Sequence, residues 1–326
     1  MPRLICGPMA TLSHEAFRRC VERFGGCDEY FTEMINAPSL LNMGPFEKYY
    51  IMNGPCPEKI VWQLTGNRAE PLAGAAAVVA KLGGIGVDIN MGCSAPQIYK
   101  TGAGIAWMTK PLQETREAVR GVKETLSSFP AMRLSVKCRL GDEDFTDEGF
   151  FAFTDMLVDE GVQLLTLHPR TKKEKCHRMP RYGYVERLRE RYGGKVQLYL
   201  NGGVKNPASL QAALSAAPDA DGVMIARAAA QKPWIFAELN ASDKTGESLE
   251  IDFQKLALDF IDDVVTYQPP EFHRTRLQRF FSYYCDNFSF AHYFKSKMLN
   301  ASGPDESRAQ VMDYFARQPE DRYGRI

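Results

Sequence analysis

Along residues 1–240, short apolar runs rich in β-branched and aromatic residues alternate with longer stretches of helical spacing. The runs Leu4–Met9, Tyr30–Met34, Ile60–Thr65, Gly86–Asn90, Leu134–Arg139, Leu164–His168, Val196–Asn201 and Gly222–Ala226 predict eight strands. Between them, Arg68–Leu82, Leu112–Ser127, Phe150–Glu160 and Ala208–Ala216 carry apolar positions at the spacing of helices. Strand–helix alternation predicts a parallel sheet, and eight units in roughly 240 residues suit a closed (β/α)8 TIM barrel. The rival, an open doubly wound sheet, would place Gly-x-Gly-x-x-Gly after its first strand; this chain has Gly7-Pro8-Met9-Ala10 there.

The pattern changes at the polar, turn-like segment Asn240–Glu250. Beyond it the spacing is helical only, over Phe253–Tyr267, Arg274–Asn287, Ala291–Leu299 and Arg308–Arg317, punctuated by Pro269-Pro270 and Ser302-Gly303-Pro304. The expected organisation is a TIM-barrel catalytic domain over 1–240 and a small all-helical domain over 241–326.

Composition adds limits. The 326 residues are 44% hydrophobic, enough for a large core, and Lys+Arg and Asp+Glu both number 40, so overall charge gives no reason to expect nucleic acid. A local excess does: Arg170 to Lys195 holds ten Lys/Arg against three Asp/Glu, next to the sixth strand. Part of that run, at Arg187, Arg189 and Arg191, also reads as a solvated helix face. In the tail, Phe280, Phe281, Tyr283 and Tyr284 read as core rather than as stacking platforms. Eight cysteines without a Cys-x-x-Cys pair argue against a metal site and suit reduced thiols. The first residues are soon broken by Gly7 and Pro8, and no run approaches the roughly 20 apolar residues of a membrane span. A soluble, cytoplasmic protein is expected, with no metal or membrane partner and monomeric.

Barrels of this kind place their active sites at the C-terminal ends of the strands. Here those ends carry Pro8-Met9-Ala10, Gln63, Asn90 with Cys93, Lys137 with Arg139, His168 with Arg170, Asn201-Gly202-Gly203 and Ala226-Arg227. Each alone has an ordinary explanation in packing or loop hydrogen bonding. Their arrival at one rim does not, because unpaired buried polar groups are costly. Small residues at Gly202, Gly203 and Ala226, with Arg227 beside them, suit a phosphate at the seventh and eighth strand ends. Lys137 and His168 would then lie near the electron-rich pyrimidine part of a flavin, with Gln63 on its amide edge.

The runs Asp88-Ile89-Asn90-Met91-Gly92-Cys93-Ser94-Ala95-Pro96 and Lys100-Thr101-Gly102-Ala103-Gly104 resemble the signature of the tRNA-dihydrouridine synthase family. So do Val136-Lys137-Cys138-Arg139-Leu140-Gly141, Leu167-His168-Pro169-Arg170-Thr171, Asn201-Gly202-Gly203 and Gly222-Val223-Met224-Ile225-Ala226-Arg227. The resemblance spans the barrel in order and continues into Arg274–Phe281. It implies FMN as cofactor, NADPH as reductant and tRNA as partner. It implies FMN contacts at Pro8, Met9, Ala10, Gln63, Lys137, His168, Asn201, Gly202, Gly203, Ala226 and Arg227. It further implies Cys93 as the proton donor to uracil C5, with Asn90, Lys100, Arg139 and Arg170 on the substrate side. An ordinary thiol carries its proton at neutral pH, which suits a general acid. The chain departs from the family pattern at Ser94, Gly203 and Ala226-Arg227-Ala228. Two other readings are an FMN barrel oxidoreductase acting on a small pyrimidine or similar molecule, and a catalytically silent RNA-binding barrel.

Overall fold

The computed structural model describes residues 2–142, 144–174, 178–241 and 250–325. Its strands are β1 (Arg3–Cys6), β2 (Glu29–Phe31), β3 (Ile60–Thr65), β4 (Gly86–Met91), β5 (Arg133–Gly141), β6 (Leu164–Thr171), β7 (Gln197–Asn201) and β8 (Gly222–Ile225). Each pairs in parallel with its neighbours, and β1 pairs with both β2 and β8, so the sheet closes into an eight-stranded barrel. A two-residue strand, Ile35–Asn36, extends the second position along Leu64–Thr65.

The outer layer holds α1 (Glu15–Glu22), α2 (Ala69–Ala80), α3 (Leu112–Leu126), α4 (Asp147–Asp159), α5 (Gly183–Tyr192), α6 (Pro207–Ala216) and α7 (Ile235–Ala241), of which α2, α3, α4 and α6 lie where the helical spacing predicts them. Helix α4 begins three residues before the expected Phe150, because the Thr146 side chain accepts from Gly149 N–H and Asp147 and Glu148 favour the first turn. Strands β5 and β6 run past Arg139 and His168. Arg139 faces His168 and Gly141 faces Thr171, so a β-bulge absorbs one extra residue at Pro169-Arg170. Proline has no N–H to give a ladder, and a bulge is where a strand tolerates it.

Side-chain alternation sorts the strands into two environments. Val87, Ile89, Val136, Leu165, Leu198, Leu200 and Val223 join the core between barrel and helices. Ile5, Phe31, Val61, Leu164, Tyr199 and Met224 form a separate buried cluster, the plug of the barrel interior. The N-terminal end of the barrel is closed by the Glu29 carboxylate, which accepts from Arg3 Nη1 at 2.9 Å, Arg133 Nη2 at 2.7 Å and Tyr199 Oη at 2.8 Å.

The tail is helical, with α8 (Phe253–Tyr267), α9 (Pro270–Tyr284), α10 (Ala291–Asn300) and α11 (Pro304–Arg317). Helices α9 and α11 start earlier than the spacing predicts, because Pro270 and Pro304 occupy first-turn positions, where a missing N–H costs nothing. A three-residue strand at each end of the tail, β9 (Glu250–Asp252) and β10 (Tyr323–Arg325), pairs antiparallel, a feature too short for the helical spacing to reveal. Phe260 stacks on Phe280 at 3.8 Å and Phe294 on Tyr314 at 4.2 Å. Phe280, Phe281 and Tyr284 are fully buried in this aromatic core, and Tyr283 is half-buried against it. The apolar core runs on from the barrel's outer layer into the tail, through Trp234 against Phe253 at 5.2 Å. A buried ion pair joins the barrel rim to α9: Arg276 Nη1 donates to Glu33 at 2.9 Å. The expected boundary segment at 242–249 lies outside the described residues. No helix among the described residues is long and apolar enough to cross a membrane.

Candidate active site

The inward-facing positions turn from apolar to polar towards the C-terminal mouth. Period-2 alternation puts Asp88 and Asn90 of β4, and Ser135, Lys137 and Arg139 of β5, on the interior face. The parallel register sets Gln63 and Ser135 on either side of Asp88, and Asn90 beside Lys137. The mouth is thus built by strands, which hold side chains more rigidly than loops do.

Lys137 Nζ donates to Asn201 Oδ1 at 2.8 Å, and Asn201 Nδ2 donates to the Met224 carbonyl at 2.9 Å, which links β5 to β7 and β8. Burial, then the charge of Arg139, lowers the Lys137 ammonium to about 8. Arg170 Nη1 lies 2.8 Å from His168 Nε2. A guanidinium can only donate, so Nε2 accepts and Nδ1 carries the ring proton. Burial first, and then Arg139, Lys137, Arg170 and Arg227, push the imidazole far below its ordinary range, so it is neutral. Four cations therefore surround one neutral ring.

Cys93 is half-buried just beyond β4. Its N–H donates to Asn90 Oδ1 at 2.9 Å. Arg139 Nε donates to the Gly92 carbonyl at 3.0 Å and Nη1 to the Thr171 carbonyl at 3.3 Å, so this arginine clasps the cysteine loop to the end of β6. Arg170 is likewise buried, with Nε on the Arg178 carbonyl at 2.6 Å.

The first loop is locked by Ser13, whose hydroxyl accepts from Met9 N–H at 2.7 Å and donates to the Gly7 carbonyl at 3.1 Å. Met9 is buried, Pro8 half-buried and Ala10 exposed. At the end of β7, two strands from β1, Gly202 has φ +111°, and a Cβ there would sit 2.9 Å from His168 Cδ2 and 3.1 Å from Arg170 Nη1. Only glycine lets the backbone come that close to the two basic side chains. Gly203 is exposed beside it, with Tyr182 Oη donating to the Gly202 carbonyl at 3.0 Å. Ala226 is half-buried and Arg227 exposed at the start of the short helix Arg227–Gln231.

The structure thus brings together Asn90, Cys93, Lys137, Arg139, His168, Arg170, Asn201 and Gly202. Two of the expected residues stand apart. Gln63 has no exposed surface, and both its amide atoms are engaged, with Asp88 and Asn90. Because it is enclosed, any direct contact from it to a bound ring needs the side chains around it to move. Lys100 is exposed after the short helix Pro96–Tyr99, and among the described residues no hydrogen bond ties its side chain to the mouth. The basic run also looks different in space. Lys172 pairs with Asp142 at 2.9 Å and lies over the Tyr99 ring at 3.3 Å. Arg187 pairs with Asp147, Arg189 with Asp221, Arg191 with Asp155 and Arg181 with Glu174. The net charge of the segment is therefore much smaller in its surroundings than in the sequence. Asp88, Ser135 and Tyr182 support the site although the motifs did not assign them. An aspartate alternating with an asparagine inside an otherwise apolar strand is the signal that points to the first of them.

A positively charged, half-enclosed mouth with a glycine turn on one side fits a phosphorylated, anionic cofactor. The sequence profile of the family described as "Dihydrouridine synthase (Dus)" matches residues 4–318. A protein of Aquifex aeolicus named "Probable tRNA-dihydrouridine synthase" is 31% identical over 79% of this chain and 77% of its own. A Bacillus subtilis protein named "Probable tRNA-dihydrouridine synthase 2" is 28% identical over 97% of this chain and 95% of its own. A mouse tRNA-dihydrouridine(47) synthase-like protein, whose name includes NAD(P)(+), is 29% identical over 73% of this chain but only 36% of its own length. Among solved structures, a 2-naphthoyl-CoA reductase superposes with a TM-score of 0.54 at 10% identity, over 74% of this chain and 50% of that one, which is a likeness of fold alone. By the profile match across nearly its whole length and by these relatives, the chain belongs to the dihydrouridine synthase family.

Proposed function

We infer that this protein is a flavin-dependent tRNA-dihydrouridine synthase, which reduces uridines in tRNA to 5,6-dihydrouridine with NAD(P)H. The observation that carries the reading is a half-buried thiol, Cys93, whose loop is held by Asn90 and Arg139 at the edge of a mouth lined by Lys137, His168 and Arg170.

FMN would be held by Pro8, Met9 and Ala10 on one wall and by Lys137, His168 and Asn201 on the other. Its phosphate would lie at Gly202, Gly203, Ala226 and Arg227, and Gln63 would meet the amide edge of its ring once the side chains enclosing it move. When bound, FMN supplies the hydride that adds to uracil C6. The protein's own task is to stabilise the negative charge that develops at C5 and O4, and to deliver a proton to C5. Lys137, Arg139 and Arg170 supply a preorganised positive field for that charge in a water-poor site. The Cys93 thiol gives up its proton to C5. Asn90 would face the substrate inside the mouth, and Lys100, exposed outside it, would meet the RNA beyond the target base. The uridine must leave its stack to reach that depth, and the helical domain expected over 241–326 serves to recruit the RNA, by shape and backbone rather than by net charge.

The two half-reactions separate the roles. Reduction of the bound flavin by NADPH needs no protein thiol, so Cys93→Ala keeps a normal rate in that step. Its oxidation by substrate tRNA falls about 10²- to 10⁴-fold, the range for loss of a positioned general acid. Stopped-flow absorbance follows both steps, and a normal second step in Cys93→Ala removes the thiol from the mechanism.

A further inference from the structure

Beneath the mouth lies a chain of hydrogen bonds with a fixed direction. Cys93 N–H donates to Asn90 Oδ1 at 2.9 Å, and Gly92 N–H to the same oxygen at 3.3 Å. Asn90 Nδ2 donates to Gln63 Oε1 at 2.8 Å, and Gln63 Nε2 to Asp88 Oδ2 at 2.8 Å. Ser135 Oγ closes the chain by donating to Asp88 Oδ1 at 2.7 Å. Asp88, Gln63 and Ser135 have no exposed surface, and Asn90 is 5% exposed. The chain starts at a backbone N–H, which can only donate, and ends at a carboxylate, which only accepts while ionised; burial raises the Asp88 carboxyl to about 6, so it holds that form above that pH. The two amides between them therefore have one orientation each. The strand register explains the assembly, since Gln63 and Ser135 flank Asp88 across β3, β4 and β5.

We propose that Asp88 is a positioning residue: its carboxylate fixes the polarity of the Gln63–Asn90 amide chain and thereby holds the Cys93 backbone in the place from which the thiol protonates its substrate. This rests on the reading of Cys93 as the proton donor. Asp88 does not touch the substrate. It acts as the acceptor that obliges Gln63 to turn its oxygen towards Asn90, and Asn90 to turn its own oxygen towards the cysteine loop. Buried polar networks of this kind specify one arrangement only when every member is satisfied.

Reversing the chain tests its polarity. Asn90→Asp alone sets Gln63 between two carboxylates, and one of them must face its oxygen. Oxidation of reduced flavin by tRNA should fall about 10- to 100-fold, the consequence of one unsatisfied buried partner. Asp88→Asn alone can still accept from Gln63 while Ser135 turns to the Val87 carbonyl, 3.5 Å away, so it should stay within about threefold of wild type. In the double variant Asp88→Asn/Asn90→Asp every bond can re-form in the opposite sense. The carboxylate introduced at position 90 accepts from Cys93 N–H and Gln63 Nε2. The amide introduced at position 88 donates its N–H to Gln63 Oε1, and its oxygen accepts from Ser135. The double variant should recover at least about tenfold over Asn90→Asp. Far-ultraviolet circular dichroism and the flavin absorbance of each purified variant, measured alongside, show which variants are folded and loaded. If Asp88→Asn fails to rescue Asn90→Asp, the asparagine acts only by direct contact and the positioning role is wrong. Cys93→Ala, measured alongside, reports separately on the thiol: a normal tRNA step there overturns the proton-donor reading whether or not the swap rescues.

Discussion

The two ends of the barrel handle charge in opposite ways. At the N-terminal end the Glu29 carboxylate collects Arg3, Arg133 and Tyr199. Burial pushes its carboxyl up, but the bonds and charge from Arg133, Tyr199 and Arg3 outweigh that and leave it below the usual glutamate value. At the C-terminal end the balance is not restored: Lys137 is lowered to about 8 and His168 is driven far down, with neighbouring cations adding to burial in both. A carboxylate shared by two guanidiniums and a phenol closes the bottom of the barrel, whereas at the top basic side chains crowd one another around His168. A fold can carry such a cost at one end when the other is well satisfied.

The comparison breaks most severely at Glu29. Glu29→Ala strands the guanidinium of Arg133, and the expected loss is about 3–5 kcal/mol of stability, measured by urea unfolding. Because the folded carboxyl lies below its ordinary value, its contribution is fully present above the usual glutamate range and disappears as pH falls through the lowered one. Wild type should therefore lose more stability on acidification than Glu29→Gln does.

A smaller effect is expected at the top, and on affinity rather than stability. Lys137 is charged below about pH 8 and neutral above it. Titration of flavin-free protein with FMN should show binding that weakens as pH rises through that value, and Lys137→Met should flatten this dependence while lowering affinity about 10- to 100-fold at neutral pH. Unchanged affinity in Lys137→Met would mean that the mouth's charge is not directed at the cofactor.

The smallest effect sharpens the contrast between buried and surface cations. Lys172 is already paired with Asp142, so Lys172→Gln with Lys173→Gln should reduce the slope of log tRNA affinity against log salt by about 1 or less. A drop near 2 would show that both ammonium groups meet phosphate and that the pair with Asp142 gives way on binding.

Much of this is legible in the sequence. The barrel strands and the tail helix Phe253–Tyr267 follow from spacing, since alternation and helical period are local properties. The residues clustered at the mouth are legible as strand ends. What spacing does not carry is pairing in space. The basic run from Arg170 to Lys195 looks like a docking surface in the sequence because the acids that answer it, Asp142, Asp147, Asp155 and Asp221, stand elsewhere in the chain. The extension of β6 to Thr171 depends on a bulge against β5, and the enclosure of Gln63 on its neighbours in β4.

The Glu33–Arg276 pair has a practical consequence for anyone wishing to shorten or recombine this protein. It is buried, at 3% and 4% side-chain exposure, and fully enclosed His14 lies in the electrostatic reach of the same arginine. A chain cut before Phe253 would open the barrel rim to water at Glu33 and bare the Trp234 face. The barrel is therefore not a cassette to be lifted out or fitted with a foreign tail; a graft would have to bring an arginine to the same spot, and the natural unit of exchange is the two parts together.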